Sequence, residues 1–199
     1  TKSMAVSILA RTGRSVRLRR LRRVTAGLVH HRAPAWSIDG RHLASRLGEG
    51  LDSFWMIVDR KGRVARVLEG PAEGTASFAP DGALAYCRVV GATSEIWLLP
   101  AVTASTADVP GQAEGPRRLL GGDGRLYRDP AFSPDGRYLA YVADDGPAGT
   151  ARRLWLLDLV MDEHHLLVAA MPGPSAPSRL AHPAWAPTGD VVYFEAQTE

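Results

Sequence analysis

The chain has 199 residues, 45% of them apolar, and 24 Lys and Arg against 21 Asp and Glu for a net charge of +3. That length buries a sizeable core, roughly 70% of the unfolded surface, and no run of about eighteen apolar residues is available to span a membrane as a helix. A lone cysteine, Cys87, excludes an intrachain disulfide, and 20 Gly with 14 Pro suit a chain of many short strands and turns.

The chain opens on a basic region. Residues 1–32 contain nine Lys or Arg and no Asp or Glu, so the remainder carries −6 to bring the whole to +3. Short strands are predicted at residues 5–9 and 16–21, with a turn at 11–14 between them. Arg17, Arg19, Arg20, Arg22 and Arg23 admit two readings. They form a rim patch for an acidic partner, or they solvate an outer strand and oppose edge-to-edge pairing. No aromatic residue lies between Thr1 and Pro34, so base stacking is not on offer and nucleic acid is not an expected partner.

A repeated phrase follows. Pro34-Ala35-Trp36-Ser37-Ile38-Asp39-Gly40 comes first, then Phe54-Trp55-Met56-Ile57-Val58-Asp59 and an apolar run at 64–68. Ala76-Ser77-Phe78-Ala79-Pro80-Asp81-Gly82 is the second copy, with strands predicted at 84–90 and 95–99 and a run at 117–120. The third copy is Pro130-Ala131-Phe132-Ser133-Pro134-Asp135-Gly136, followed by strands at 138–143 and 153–158 and a run at 165–169. Pro183-Ala184-Trp185-Ala186-Pro187-Thr188-Gly189 is the fourth, followed by a strand at 191–196.

The physics of the phrase is that of a hairpin turn. Pro134 presets φ at the second turn position, Asp135 tolerates the third, and Gly136 accepts a positive φ. In the strand after it both faces are apolar, so both should be covered. Cys87 falls in such a strand and reads as a buried, inert thiol. Residues 152–170 and 16–29 lack breakers strongly enough for propensity alone to allow helices, but the repeat places strands there.

The turn glycines 40, 82, 136 and 189 are separated by 42, 54 and 53 residues. About four strands per repeat at that period mark propeller blades. The last repeat stops after its second strand, and residues 8–17 lie along 57–66 with Gly13 on Gly62. The sequence therefore predicts an all-β, single-domain β-propeller of four four-stranded blades. They span about 34–70, 76–121, 130–170, and 183–196 plus 4–24, the last blade closed by both termini and leaving no free sheet edge.

The repeated Pro-Ala-[Phe/Trp]-Ser-Pro-Asp-Gly phrase, followed by a Trp-Leu-Leu-Asp-like strand, resembles the TolB-type β-propeller repeat. The same repeat occurs in the propellers of the prolyl oligopeptidase and tricorn protease families. TolB itself has six blades behind a separate domain, and this chain shows neither six repeats nor that domain. The resemblance implies an extracytoplasmic location, with the cytoplasm as the alternative. It also implies an accessory or gating role beside a hydrolase as an alternative to a free-standing function.

Chemistry is sparse. The sequence has no Gly-x-Ser-x-Gly elbow, no His-Glu-x-x-His, no phosphate-cradling Gly-Lys-Ser/Thr, no dinucleotide fingerprint and no Cys-x-x-Cys. No catalytic residue, metal site or cofactor is expected. Glu163-His164-His165 is placed in a turn between two strands. Consecutive His residues on a strand point to opposite faces and make a poor pair of metal ligands.

In a propeller the segment entering each innermost strand lines the mouth of the central channel. That rule nominates His31, Arg32, Tyr127, Arg128, Asp129, Arg179 and His182 as mouth residues that bind a partner or small ligand such as an anion, with hydrogen bonding and salt bridging around a wet channel as the alternative. Long loops are predicted at 100–116, 144–150 and 171–183, where binding function tends to sit. The expectation is a non-catalytic protein-interaction scaffold. A ligand or glycan binder at the channel mouth is a further alternative.

Overall fold

The computed structural model describes residues 31–101, 115–144, 152–169 and 177–198. The first sheet is an antiparallel meander of β1 (His31–Trp36), β2 (His42–Leu47), β3 (Phe54–Asp59) and β4 (Val64–Leu68). The second contains β5 (Ala72–Phe78), β6 (Leu84–Val90), β7 (Thr93–Leu99) and β8 (Arg117–Leu120). The third contains β9 (Tyr127–Phe132), β10 (Tyr138–Asp144), β11 (Arg152–Asp158) and β12 (Glu163–Ala169). β13 (Pro177–Trp185) and β14 (Val192–Thr198) form a two-stranded sheet. A single 3-10 turn, Gly50–Asp52, interrupts this all-β pattern among the described residues.

The first strands of successive sheets pack in sequence, β1 on β5, β5 on β9 and β9 on β13. Between the sheets lies the core. Trp55, Ile57 and Leu68 of the first sheet meet Phe78, Leu84 and Tyr86 of the second. Ala85, Cys87 and Ile96 of the second meet Leu139, Tyr141 and Leu157 of the third. Val142 and Leu154 of the third meet Leu180. Alternate residues of β6 thus serve different cores, which is why a strand in this fold reads apolar on both faces. Indole N–H groups tie one sheet to the next. Trp55 Nε1 donates to the Cys87 carbonyl at 2.9 Å and Trp185 Nε1 to the Ala131 carbonyl at 3.0 Å.

The four hairpin turns are built as the phrase predicts. Gly40, Gly82, Gly136 and Gly189 have φ of +64°, +90°, +75° and +79°. The Gly136 N–H closes the turn on the Ser133 carbonyl at 2.9 Å. Asp135 Oδ1 accepts the Ser133 hydroxyl at 2.6 Å and the Arg137 N–H at 3.0 Å. Asp39 repeats both contacts with Ser37 and Arg41, and Asp81 takes the Ala83 N–H at 2.9 Å. In the fourth turn, which has Thr188 instead, the hydroxyl bonds Asp190. The turns also touch one another: a Cβ on Gly136 would lie 3.0 Å from Pro80 Cδ, and one on Gly189 3.6 Å from Pro134 Cδ.

Strands occupy 152–158 and 163–169, so the repeat overrides helix propensity there. Three expectations are corrected. Glu163, His164 and His165 begin β12 rather than sit in a turn; the turn is residues 159–162, with Asp162 at φ +56° in place of a glycine. Residues 177–183, expected in a loop, belong to β13. The mouth segments at His31, Tyr127 and Arg179 lie inside the innermost strands and not before them. The strands expected at 5–9 and 16–21, and most of the loops expected at 100–116 and 144–150, lie outside the described residues.

Candidate functional site

Each innermost strand breaks its ladder at a matching place, and β13 shifts once more between Pro177 and Arg179. The register shifts between Arg32 and Ala35, between Glu73 and Ala76, and between Ala181 and Ala184, and β9 shifts opposite Ala140 and Val142. Two residues bulge out each time: Ala33-Pro34, Gly74-Thr75, Asp129-Pro130 and His182-Pro183. The first of each pair is left-handed, with φ of +48°, +58°, +51° and +50°. Three of these four are not glycine, a conformation that costs about 1–3 kcal/mol at each such residue and persists only where its surroundings enforce it. Proline fits the second position because a bulged residue needs no ladder N–H.

All four bulges meet at one cavity of about 550 Å³, whose wall includes Ala33, Gly74, Asp129 and His182. Asp129 is buried and reaches both ways across it. Its Oδ1 accepts the Thr75 hydroxyl from β5 and its Oδ2 the His182 N–H from β13, each at 3.3 Å. Gly74 makes room for this carboxylate, since a Cβ there would lie 3.0 Å from Asp129 Oδ1. Arg128 pairs with Glu73 at 2.7 Å, His182 Nδ1 with Glu195 at 3.1 Å, and Arg32 with Glu49 at 2.6 Å. Arg152 lies 3.4 Å from Asp144. Most of the mouth's charges therefore neutralise one another.

The structure brings Arg32, Arg128, Asp129 and His182 to this cavity. His31 and Tyr127 stand one residue earlier and face elsewhere, as strand alternation demands. His31 Nδ1 lies 3.1 Å from the hydroxyl of buried Ser45, and burial lowers its pKa. Tyr127 donates to Asp123 Oδ2 at 2.7 Å and packs on Tyr141, and its phenol is pushed up to about 12 by burial and by that carboxylate. Arg179 stands opposite Gln197 in the β13–β14 ladder, and its side chain lies outside what is described. Arg17, Arg19, Arg20, Arg22 and Arg23 lie outside the described residues.

Sequence reasoning missed Arg46, Arg152 and Glu195, which also line the cavity. They sit on second or third strands, so a rule about entry to the first strand does not reach them. Arg46 was findable as the cross-strand partner of Arg32. Among the described residues no three His, Cys, Asp or Glu side chains converge to hold a metal ion. His164 Nδ1 meets the Tyr141 hydroxyl at 2.9 Å, while His165 turns to Glu163 at 3.8 Å. Cys87 is fully buried, and burial pushes its thiol pKa up, away from a reactive thiolate.

Four-stranded meanders stacked by their first strands around a shared cavity define a β-propeller fold. Among solved propellers the likeness is to TolB. No protein-family model and no curated protein matches the sequence. TolB from Acinetobacter baumannii aligns over 88% of this chain and 40% of its own, with a TM-score of 0.65 and 18% identity. A putative TolB from Agrobacterium tumefaciens aligns over 89% of this chain and 57% of its own, with a TM-score of 0.57 and 19% identity. A prolyl endopeptidase aligns over 97% of this chain and 32% of its own, with a TM-score of 0.58 and 16% identity. The chain has a TolB-like β-propeller fold and spans between about 40% and 57% of the two TolB chains. No helix among the described residues is long and apolar enough to cross a membrane.

Proposed function

We propose that the chain is a non-catalytic protein-interaction scaffold that presents the mouth of its central cavity to a partner. One observation carries this reading. All four innermost strands place a left-handed residue on a single wall, and side chains from different sheets lock that wall. Strained backbone held this firmly is a preorganised surface, which lowers the ordering cost of binding. The histidine His31 faces the Ser45 hydroxyl at 3.1 Å. Ser45 is fully buried, so the pair is closed to substrate.

The same reading takes the ring as four-bladed, with residues 4–24 completing the last sheet. β13 and β14 are two strands where each other sheet has four. Tyr193 and Phe194 on β14 are exposed, and an apolar groove of about 280 Å³ runs from Leu156 and Leu167 to Trp185 and Phe194. A two-strand strip with an apolar face is marginal by itself and calls for further strands. Residues 17–23 then bring their arginines to the outer rim as a second partner surface.

The prolyl endopeptidase likeness supports a second reading, an accessory propeller that gates a hydrolase carried elsewhere. A single set of measurements tests these readings. Light scattering with small-angle X-ray scattering should give a compact monomer near 21.4 kDa. Affinity capture with the immobilised chain should then yield a protein partner that is lost on His182→Ala with Asp129→Asn. Capture unaffected by those changes, and by Ser at Arg19, Arg20, Arg22 and Arg23, overturns the scaffold reading. A hydrolase as the captured partner selects the second.

A further inference from the structure

The residue before each bulge occupies one ladder position: Arg32, Glu73, Arg128 and Ala181. In the first sheet its cross-strand partner is Arg46, so two arginines stand directly opposite each other. Opposed residues in an antiparallel pair share one face with Cβ atoms roughly 4.5–5.5 Å apart, and like charges there are destabilising. Glu73, the carboxylate nearest in ring order, is taken by Arg128 at 2.7 Å. Arg32 holds Glu49, an exposed pair with 53% and 64% of its side chains accessible, which binds weakly. The Arg46 side chain has no hydrogen bond or ion pair among the described residues, although the residue is half-buried. Arg128 adds a buried Nε without an acceptor to the same cavity.

The wall holding this pair is shared. Arg32 and Arg46 line both the mouth cavity of about 550 Å³ and a second cavity of about 520 Å³ beside the 3-10 turn. Volumes of this order suit a small molecule. Two guanidinium forks carried at directly opposed ladder positions and lining the same walls suit the oxygens of one oxyanion, each fork offering parallel N–H donors. An arriving anion relieves the Arg32–Arg46 repulsion and displaces the exposed Glu49, while the other carboxylates of the two walls, Glu73, Asp129 and Glu195, are already held by Arg128, by Thr75 and the His182 N–H, and by His182.

We infer that the Arg32–Arg46 pair is a binding site for a small molecule bearing a carboxylate or phosphate group. The inference is independent of any protein partner, because the chain alone carries the site. Titration calorimetry of the chain with inorganic phosphate and with succinate, each to about 10 mM at matched ionic strength, tests it. Saturable binding of at least one is expected; phosphate alone points to a phosphorylated ligand, and succinate alone to an organic acid. Arg46→Gln should weaken binding about tenfold or more, the loss of a charge-assisted hydrogen bond. Arg46→Lys, which keeps the charge and loses the fork, should weaken it less, and Arg41→Gln at an exposed turn should leave it unchanged. Without added anion, Arg46→Gln should not lower the melting temperature, because it removes a repulsion. Absence of saturable binding to either anion, or equal binding by Arg46→Gln, overturns the inference and leaves the partner reading standing.

Discussion

Gly74→Ala probes the geometry of the cavity most directly. Gly74 is left-handed at φ +58°, and an alanine placed there pays about 1–2 kcal/mol for that conformation. Ala33 holds the same conformation at the matching place in the first sheet, so the backbone keeps its path. The new Cβ lies 3.0 Å from Asp129 Oδ1 and 3.4 Å from Cys87 Sγ. Asp129 has to withdraw by a few tenths of an ångström, although it is buried and holds the Thr75 hydroxyl and the His182 N–H at 3.3 Å each. Both bonds are already long, and losing one costs about 1 kcal/mol. The total is about 2–3 kcal/mol, or a fall of roughly 4–12 °C in melting temperature for a chain of this size.

Thermal and urea unfolding of Gly74→Ala, Asp129→Ala and the double variant measure it. With Asp129 shortened, the steric part vanishes and only the φ cost remains. A coupling of at least about 0.5 kcal/mol should therefore separate the double variant from the sum of the singles. Strict additivity would refute the placement of the carboxylate against Gly74.

Two other outcomes follow from the turns. Gly136→Val forces a β-branched residue to φ +75° with its Cβ 3.0 Å from Pro80 Cδ, and should cost at least about 1–3 kcal/mol in urea unfolding; an unchanged midpoint would contradict the turn. Asp158 has its carboxyl pKa lowered from 3.8 to about 2, first by the Arg137 hydrogen bond and then by the Met161 and Val160 N–H groups, against an opposing desolvation. A depressed carboxylate pKa contributes stability that is full above about pH 4 and is lost as pH falls towards 2. Asp158→Asn should flatten the fall in melting temperature across that window, and an identical acid profile would show that the Arg137–Asp158 bond is not formed.

The turns and middle strands were legible because Pro, Asp and Gly each force a particular backbone, and because a strand between two cores must be apolar on both sides. Strands at 64–68, 84–90 and 117–120 fall where the sequence places them. The bulges were not legible. A residue before proline is expected to be extended, yet Ala33, Asp129 and His182 precede proline in the left-handed region. The same bulges hid β13: Pro177 opens the strand and Pro183 sits in the bulge, so neither removes a ladder bond. The turn after residue 158 reads too long from the sequence, through His165, because Asp162 closes it at φ +56° where no glycine marks its end. At the mouth, alternation along the strand decides which neighbours see the cavity, so Arg32 and Arg128 reach it while His31 and Tyr127 do not. Register of that precision needs the position of the bulge.

The contact of Gly136 with Pro80, and of Gly189 with Pro134, joins the second, third and fourth hairpin tips in series and makes the third both a plug and a socket. The proline of one tip faces onward and the glycine of the next receives it. Such a joint is indifferent to what lies between the tips, which is how spacings of 53 and 54 residues serve equally. It is also indifferent to how many tips there are. Between these tips a unit inserted or removed leaves the same pair of faces to rejoin, so the number of sheets that can follow one another is a question of curvature shared among the joints, not of new chemistry at any one of them.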